Sequence, residues 1–210
     1  MRYLFYASGI FILTFGISLT IRSDFGTSPF DAMLVGLSRN VGLTVGSWEI
    51  LIALALIGTN SLLSRQRPEL LGLVTALITG AGIDLWLFLL NGFHLPVNGA
   101  LPFLGFFFGM LFIGFGNAVY LHTNFAPVPV DRLTLIIRKM VRPNLFMART
   151  LIYALFLAFA LAAGGPIGIG TVLTVCFGGL LLNFFAPYAG KWINPLLQRH
   201  AQNAKDPFPH

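Results

Sequence analysis

Residues 23–34, SDFGTSPFDAML, and residues 123–134, TNFAPVPVDRLT, break an otherwise apolar chain in the same way. Each runs from a polar opening into Phe-x-x-x-Pro-x-Asp, at Phe25, Pro29 and Asp31 and again at Phe125, Pro129 and Asp131, an offset of 100 residues. Without gaps, the same offset pairs Phe15 with Phe115, Gly16 with Gly116, Val41 with Val141, Leu51 with Leu151 and Ile52 with Ile152. Chance matches of apolar residues come easily in such a chain, whereas a shared Phe, Pro and Asp at fixed spacing does not. The ends of the halves correspond as well: Gly72-x-x-Thr75-x-Leu77 resembles Gly168-x-x-Thr171-x-Leu173, at an offset of 96.

Composition supplies the solvent. The 210 residues are 56% hydrophobic and 10% charged, and the mean hydropathy is +0.82. A soluble domain carries about 25% charged residues, and this chain has too few polar side chains to cover its apolar surface. Lipid needs no such cover, so an integral membrane protein follows. The net charge of +6 sits between apolar runs rather than along one face with interleaved aromatics, which argues against a nucleic-acid partner. The single cysteine, Cys176, excludes an intramolecular disulfide and a cysteine-based metal cluster. The first apolar run is too long for a signal-peptide core and reads as a retained span.

A hydrocarbon core of ~30 Å needs about 20 apolar residues in a helix. Candidate spans are 4–21, 46–63, 70–90, 101–121, 145–163 and 167–187, with Glu49, Asp84 and Arg149 the formal charges inside them. Turn signals separate them at Arg67-Pro68, at Asn91-Gly92 through Pro96, and at Gly164-Gly165-Pro166. With the N-terminus in the cytoplasm, 11 of the 13 Lys and Arg fall inside and only Arg22 and Arg39 outside, the bias expected of a multi-pass protein with both termini cytoplasmic. Trp48, Trp86 and Trp192 suit the interfacial belt, and Gly105 and Gly109 form a small-residue packing motif in the fourth span.

Each half then holds three spans, an odd number, so the second half must enter the bilayer from the opposite side. The expected fold is all-α: six transmembrane helices as two inverted three-helix repeats, 4–90 and 101–187, each with a short extra helix after its first span. The transmembrane domain covers 1–187, and 188–210 form a cytoplasmic tail. In the first break, Ser28 suits an N-cap, Pro29 the first helical position and Asp31 the third. Phe30, Met33, Leu34 and Leu37 follow as an apolar helical stripe. The second break keeps Pro129 and Asp131, with a stripe of Val130, Leu133 and Ile137, but has Val128 in place of the cap. Such half-length helices either re-enter the membrane and aim their N–H groups at a central cavity, attracting an anionic or polar group, or lie flat at the interface.

The stretch 16–50, with Gly26-Thr27-Ser28-Pro29-Phe30-Asp31 at its centre, and GPIGIGTVLTVCFGGLL at 165–181 resemble the YitT/YczE group of bacterial inner-membrane proteins. The G-x-S-P-[WF]-D core and the later G-x-G-T, here Gly168 to Thr171, carry the resemblance. It implies a polytopic inner-membrane protein of transporter type and names no substrate. The second break, Ala126-Pro127-Val128-Pro129, is less polar than that pattern.

Inverted repeats are frequent in secondary transporters, with the substrate site near the midplane where the repeats meet. The expected function is a small transporter or permease for a small solute or ion, its path bordered by the two breaks. Thr27, Ser28, Asp31, Asp131 and Asn117 are the candidate substrate-binding residues, and Asp84, the deepest acid, the candidate for coupling to H⁺ or a cation. Glu49 and Arg149 occupy equivalent positions with opposite charge; near span ends, such side chains are expected to snorkel to water. No enzyme motif occurs: H-E-x-x-H, G-x-S-x-G and the phosphate-binding loop are absent, and the histidines at 94, 122, 200 and 210 have no metal-ligand spacing. No catalytic role, metal or cofactor is expected. The alternative is a non-transporting membrane subunit, substrate-binding or partner-stabilising, in a larger complex; a homodimer would also fit.

Overall fold

Residues 2–92, 100–123, 125–141 and 145–203 are described in a computed structural model. Helix accounts for nearly all of them: α1 (Arg2–Arg22), α2 (Pro29–Val41), α3 (Val45–Ser64), α4 (Leu71–Leu89), α5 (Ala100–His122), α6 (Pro129–Val141), α7 (Leu145–Ala162) and α8 (Ile169–Asn203), with a 3-10 turn at Leu90–Gly92. Pro96, Asn124, Arg142, Lys205, His94 and His210 lie outside the described residues, as do the side chains of Arg199 and His200.

Among the described residues, five helices are long and apolar enough to cross a membrane: α1, α3, α4 with its 3-10 turn, α5, and Ile169–Ile193 of α8. The run expected at 145–163 is the short one: it forms α7, whose 18 residues reach about 27 Å. Large apolar side chains such as Phe88 (77%) and Leu62 (81%) stand exposed on the outside, as a lipid-facing surface requires and a water-facing one does not. The polar tail expected from residue 188 is not a separate segment. The last helix runs on to Asn203 through Pro187 and Pro195, because Ala189 and Ile193 pack on Ala118 and Val119 of α5 and hold the backbone helical past the missing N–H of Pro187.

The two short helices have identical length and an offset of 100 residues, Pro29–Val41 and Pro129–Val141. At the head of α2 the hydroxyl of Ser28 accepts the Asp31 N–H at 3.2 Å and donates to Asp31 Oδ2 at 2.6 Å. That is the cap the sequence announces. At the head of α6 there is no hydroxyl to do this, and Asp131 Oδ2 instead accepts the Tyr120 hydroxyl from α5 at 3.3 Å.

Glycines set the closest helix crossing. A Cβ on Gly9 of α1 would stand 2.7 Å from Tyr120 N, and one on Gly16 would stand 2.6 Å from Gly109 O. From the other side, a Cβ on Gly116 would meet Leu13 N at 2.5 Å, and one on Gly109 would meet Thr20 Cγ2 at 2.7 Å. Gly9 and Gly109, like Gly16 and Gly116, stand 100 positions apart, so the crossing uses the same two positions of each helix. Gly109 of the expected small-residue motif works together with Gly116 at this crossing.

Neighbours follow the same exchange of halves. α1 packs on α4 as α5 packs on α8, and α2 packs on α7 as α6 packs on α3. Each break is closed by the opposite half. Gly170 N–H donates to Phe25 O at 2.8 Å and Thr27 N–H to Pro166 O at 3.4 Å. Asn60 Nδ2 donates to Pro129 O at 3.0 Å, and Thr75 Oγ1 to Ala126 O at 3.3 Å. Gly26, at φ +100°, lies against Gly168 N and Thr171 Oγ1, so a side chain there would be both strained and obstructed.

Two consequences are measurable. Gly16→Ala forces backbone against backbone and is expected to lower stability by about 1–3 kcal/mol, read as a lower thermal midpoint of the purified protein. Gly58→Ala, where a Cβ meets nothing within 4 Å, serves as control and should be neutral or slightly stabilising. Ser28→Ala removes the cap of α2 at a cost of about 1 kcal/mol; an unchanged midpoint would mean that packing alone holds the head of that helix.

Candidate functional site

The heads of α2 and α6 border one cavity of about 360 Å³. Its walls come from both halves: Leu13 and Ile17 of α1, Glu49 of α3, Thr79 of α4, Met110, Ile113 and Asn117 of α5, Arg149 and Tyr153 of α7, and Thr174 and Gly178 of α8. Most of that lining is apolar. The charges are Asp31, Glu49, Asp131 and Arg149, three carboxylates and one guanidinium.

Those charges fall into two differently arranged groups. On the side of the second half, Asp131 accepts from Tyr120, and Arg149 lies within Coulombic reach of Asp131. The guanidinium is oriented by Tyr153, whose hydroxyl accepts from Nε at 3.2 Å and from Nη2 at 2.9 Å. On the side of the first half, Asp31 is 7% exposed and Glu49 only 2%, and the two lie within Coulombic reach of each other. Asp31 is held by Ser28, with Thr27 close enough to contribute a second hydroxyl. Glu49 makes no hydrogen bond or ion pair among the described residues.

The sequence-derived candidates divide accordingly. Ser28, Asp31, Asp131 and Asn117 all line the cavity. Thr27 stands behind the wall, fully buried, its hydroxyl 2.9 Å from that of Thr20. Asp84 lies elsewhere, away from the lining residues: its carboxylate accepts from Gly46 N at 2.8 Å and from Thr44 Oγ1 at 2.6 Å. It ties the head of α3 to α4, as an acid at a helix N-terminus does, and the close approach at Gly46 and Gly80 brings it there.

Glu49 and Arg149 correct the snorkelling expectation. Both line the cavity, and Glu49 is buried there rather than drawn out to water. Tyr153, Tyr120 and the threonines Thr79, Thr134 and Thr174 escaped the sequence reading; hydroxyls on helices that otherwise read as apolar give little signal. The opposite charges at the equivalent positions 49 and 149 were the available pointer. His122, on a helix end, contacts Ala186 O at 2.7 Å and takes no part in the cavity. Among the described residues, no group of three or more His, Cys, Asp or Glu is placed to hold a metal ion.

Comparison with known proteins places the chain. The family model of DUF6198, a family of unknown function, matches residues 1–187. Two proteins of Bacillus subtilis (strain 168) are similar along nearly their whole length. The uncharacterized protein YyaS is 55% identical over 188 residues, covering 89% of this chain and 93% of YyaS. The uncharacterized membrane protein YczE is 34% identical over 206 residues, covering 98% of this chain and 94% of YczE. No solved structure matches the chain. The resemblance read at residues 26–31 and 168–171 is thus upheld, and with its apolar helices the chain is a polytopic membrane protein that belongs to the DUF6198 family.

Proposed function

We propose that this protein is a small transporter of the cytoplasmic membrane, built from two inverted three-helix repeats, with the cavity between them as its substrate path. One observation carries the reading: a charged cavity enclosed by equivalent elements of both halves, with Asp31 and Asp131 at the heads of two helices too short to span. Ionisable groups at membrane depth are costly and mark pathways for solutes or ions. The exchange of neighbours between halves supports inverted repeats, and α2 and α6 serve as the re-entrant elements that such transporters place around a central site. Rocking one half on the other about the glycine crossing of α1 and α5 would open the cavity to each side in turn. Both termini lie in the cytoplasm, in keeping with the distribution of Lys and Arg.

Within this reading, Asn117 and the carboxylates of Asp31 and Asp131 contact the solute, while Ser28 and Thr27 hold Asp31 in place. Asp84 keeps a structural role, because its oxygens are already engaged by α3.

Access from both sides is the property that separates a transporter from a binding subunit. Cys176 is exposed, so the test starts from Cys176→Ala, with a cysteine at 117 or 174 in the cavity wall. Membrane-impermeant maleimide applied to oriented vesicles should label the same cysteine from either face, with a solute gradient shifting the balance. Labelling from one face alone, under all gradients, would replace the transporter by the substrate-capturing subunit. A reporter fused after residue 210 is expected on the cytoplasmic side, and a signal from the opposite side would overturn the assigned orientation.

A further inference from the structure

The two halves of the cavity are equivalent in position and unequal in charge. In the second half, Asp131 is accompanied by a cation, Arg149, supplied by α7. In the first half the position equivalent to Arg149 is Glu49, so Asp31 is accompanied by a second acid. Glu49 is 2% exposed, lines the cavity and has no partner among the described residues. Two buried carboxyls with no cationic side chain beside them among the described residues make this end of the cavity suited to a cationic ligand group, because an ionised carboxylate is costly there until it is paired. The Arg149 guanidinium serves the other end, since Tyr153 orients it and Asp131 lies within its Coulombic reach.

The lining narrows the kind of cation that fits. No three acidic or metal-ligating side chains converge there among the described residues, and a divalent ion wants six or more oxygens. Leu13, Ile17, Phe30, Met110 and Ile113 surround the charges with apolar surface. A volume of about 360 Å³ falls in the range of small-molecule sites. We propose that the Asp31–Glu49 end of the cavity binds a small organic cation, an ammonium or guanidinium group on a compact apolar body, which takes the electrostatic place that Arg149 fills in the other half. The proposal rests on the cavity being the substrate path and names the class of solute. The N–H donors of the cation bind the carboxyls of Glu49 and Asp31, the second already oriented by Ser28 at Oδ2. The apolar body lies against α1 and α5. A simple anion is excluded by the balance of three carboxylates to one guanidinium.

The test uses the full chain in lipid nanodiscs, with 2-phenylethylammonium and butylammonium chloride as probes, and sodium benzoate, sodium butyrate and sodium chloride at equal ionic strength as controls. The ammonium salts should raise the thermal midpoint of the wild type while the carboxylates leave it unmoved. Glu49→Gln and Asp31→Asn should each weaken amine binding at least tenfold. Glu49→Lys places a cation in the site permanently; it should keep a midpoint at or above that of the wild type and gain nothing from amines. Equal stabilisation by carboxylates, no shift with either amine, or an unchanged amine affinity in Glu49→Gln would overturn the proposal. Counterflow of 2-phenylethylammonium in proteoliposomes separates the two readings. Amine binding without exchange refutes transport and leaves this site standing, whereas two-sided labelling of the cavity cysteines without amine binding refutes this site and leaves transport standing.

Discussion

Backbone pressed on backbone at the crossing of α1 and α5 is the constraint on which everything else hangs. Gly9 and Gly16 meet Tyr120, Gly109 and Ile113, and Gly116 meets Leu13, at distances that admit no side-chain carbon. Apolar helices in lipid gain nothing from burying grease against grease, so association depends on such close fit. Because the glycines occupy equivalent positions of both helices, the contact is the same when the halves are exchanged. It fixes α1 and α5 as a common axis, and the distance between the remaining helices of the two halves follows from it.

The cavity is a by-product of that arrangement and of the two short helices. α2 and α6 cover only 13 residues each, about 20 Å; neither can cross, and each must end its polar head inside the protein. Ser28 and Asp31 satisfy one head locally, whereas Asp131 borrows Tyr120 from α5. Glu49 and Arg149, in the second turns of α3 and α7, line the cavity from the helices that follow. Tight glycine contacts on one face and half-length helices on the other leave an apolar chamber with charges at its ends.

Much of this was legible in the sequence. The helix character, the offset of 100 and the Ser28-Pro29-Asp31 cap needed only spacing and local chemistry, and four of the five proposed binding residues line the cavity. What failed was depth. Glu49 lies near the start of its apolar run, and a position near the start of a run reads as interfacial unless the preceding helix is known to fold inward. Asp84 lies deep in its run, and its carboxylate accepts from Gly46 N and Thr44 Oγ1, partners that the close approach of α3 and α4 brings to it and that spacing alone does not disclose. The length of α8 was hidden for a related reason, since its continuation past Pro187 depends on contacts with α5 that spacing alone does not disclose.

The seal on the first break bears on how the chain is made. Phe25 O and Thr27 N–H are satisfied by Gly170 N–H and Pro166 O, more than a hundred residues downstream. During synthesis from the N-terminus, at roughly 5–20 residues per second, the first half is complete for several seconds before those groups exist. Throughout that interval its break has open backbone polar groups, which hydrocarbon does not tolerate. Until the start of the last helix arrives, water is the partner left to those two groups. Closure of the first break is therefore a late step, completed by the second half.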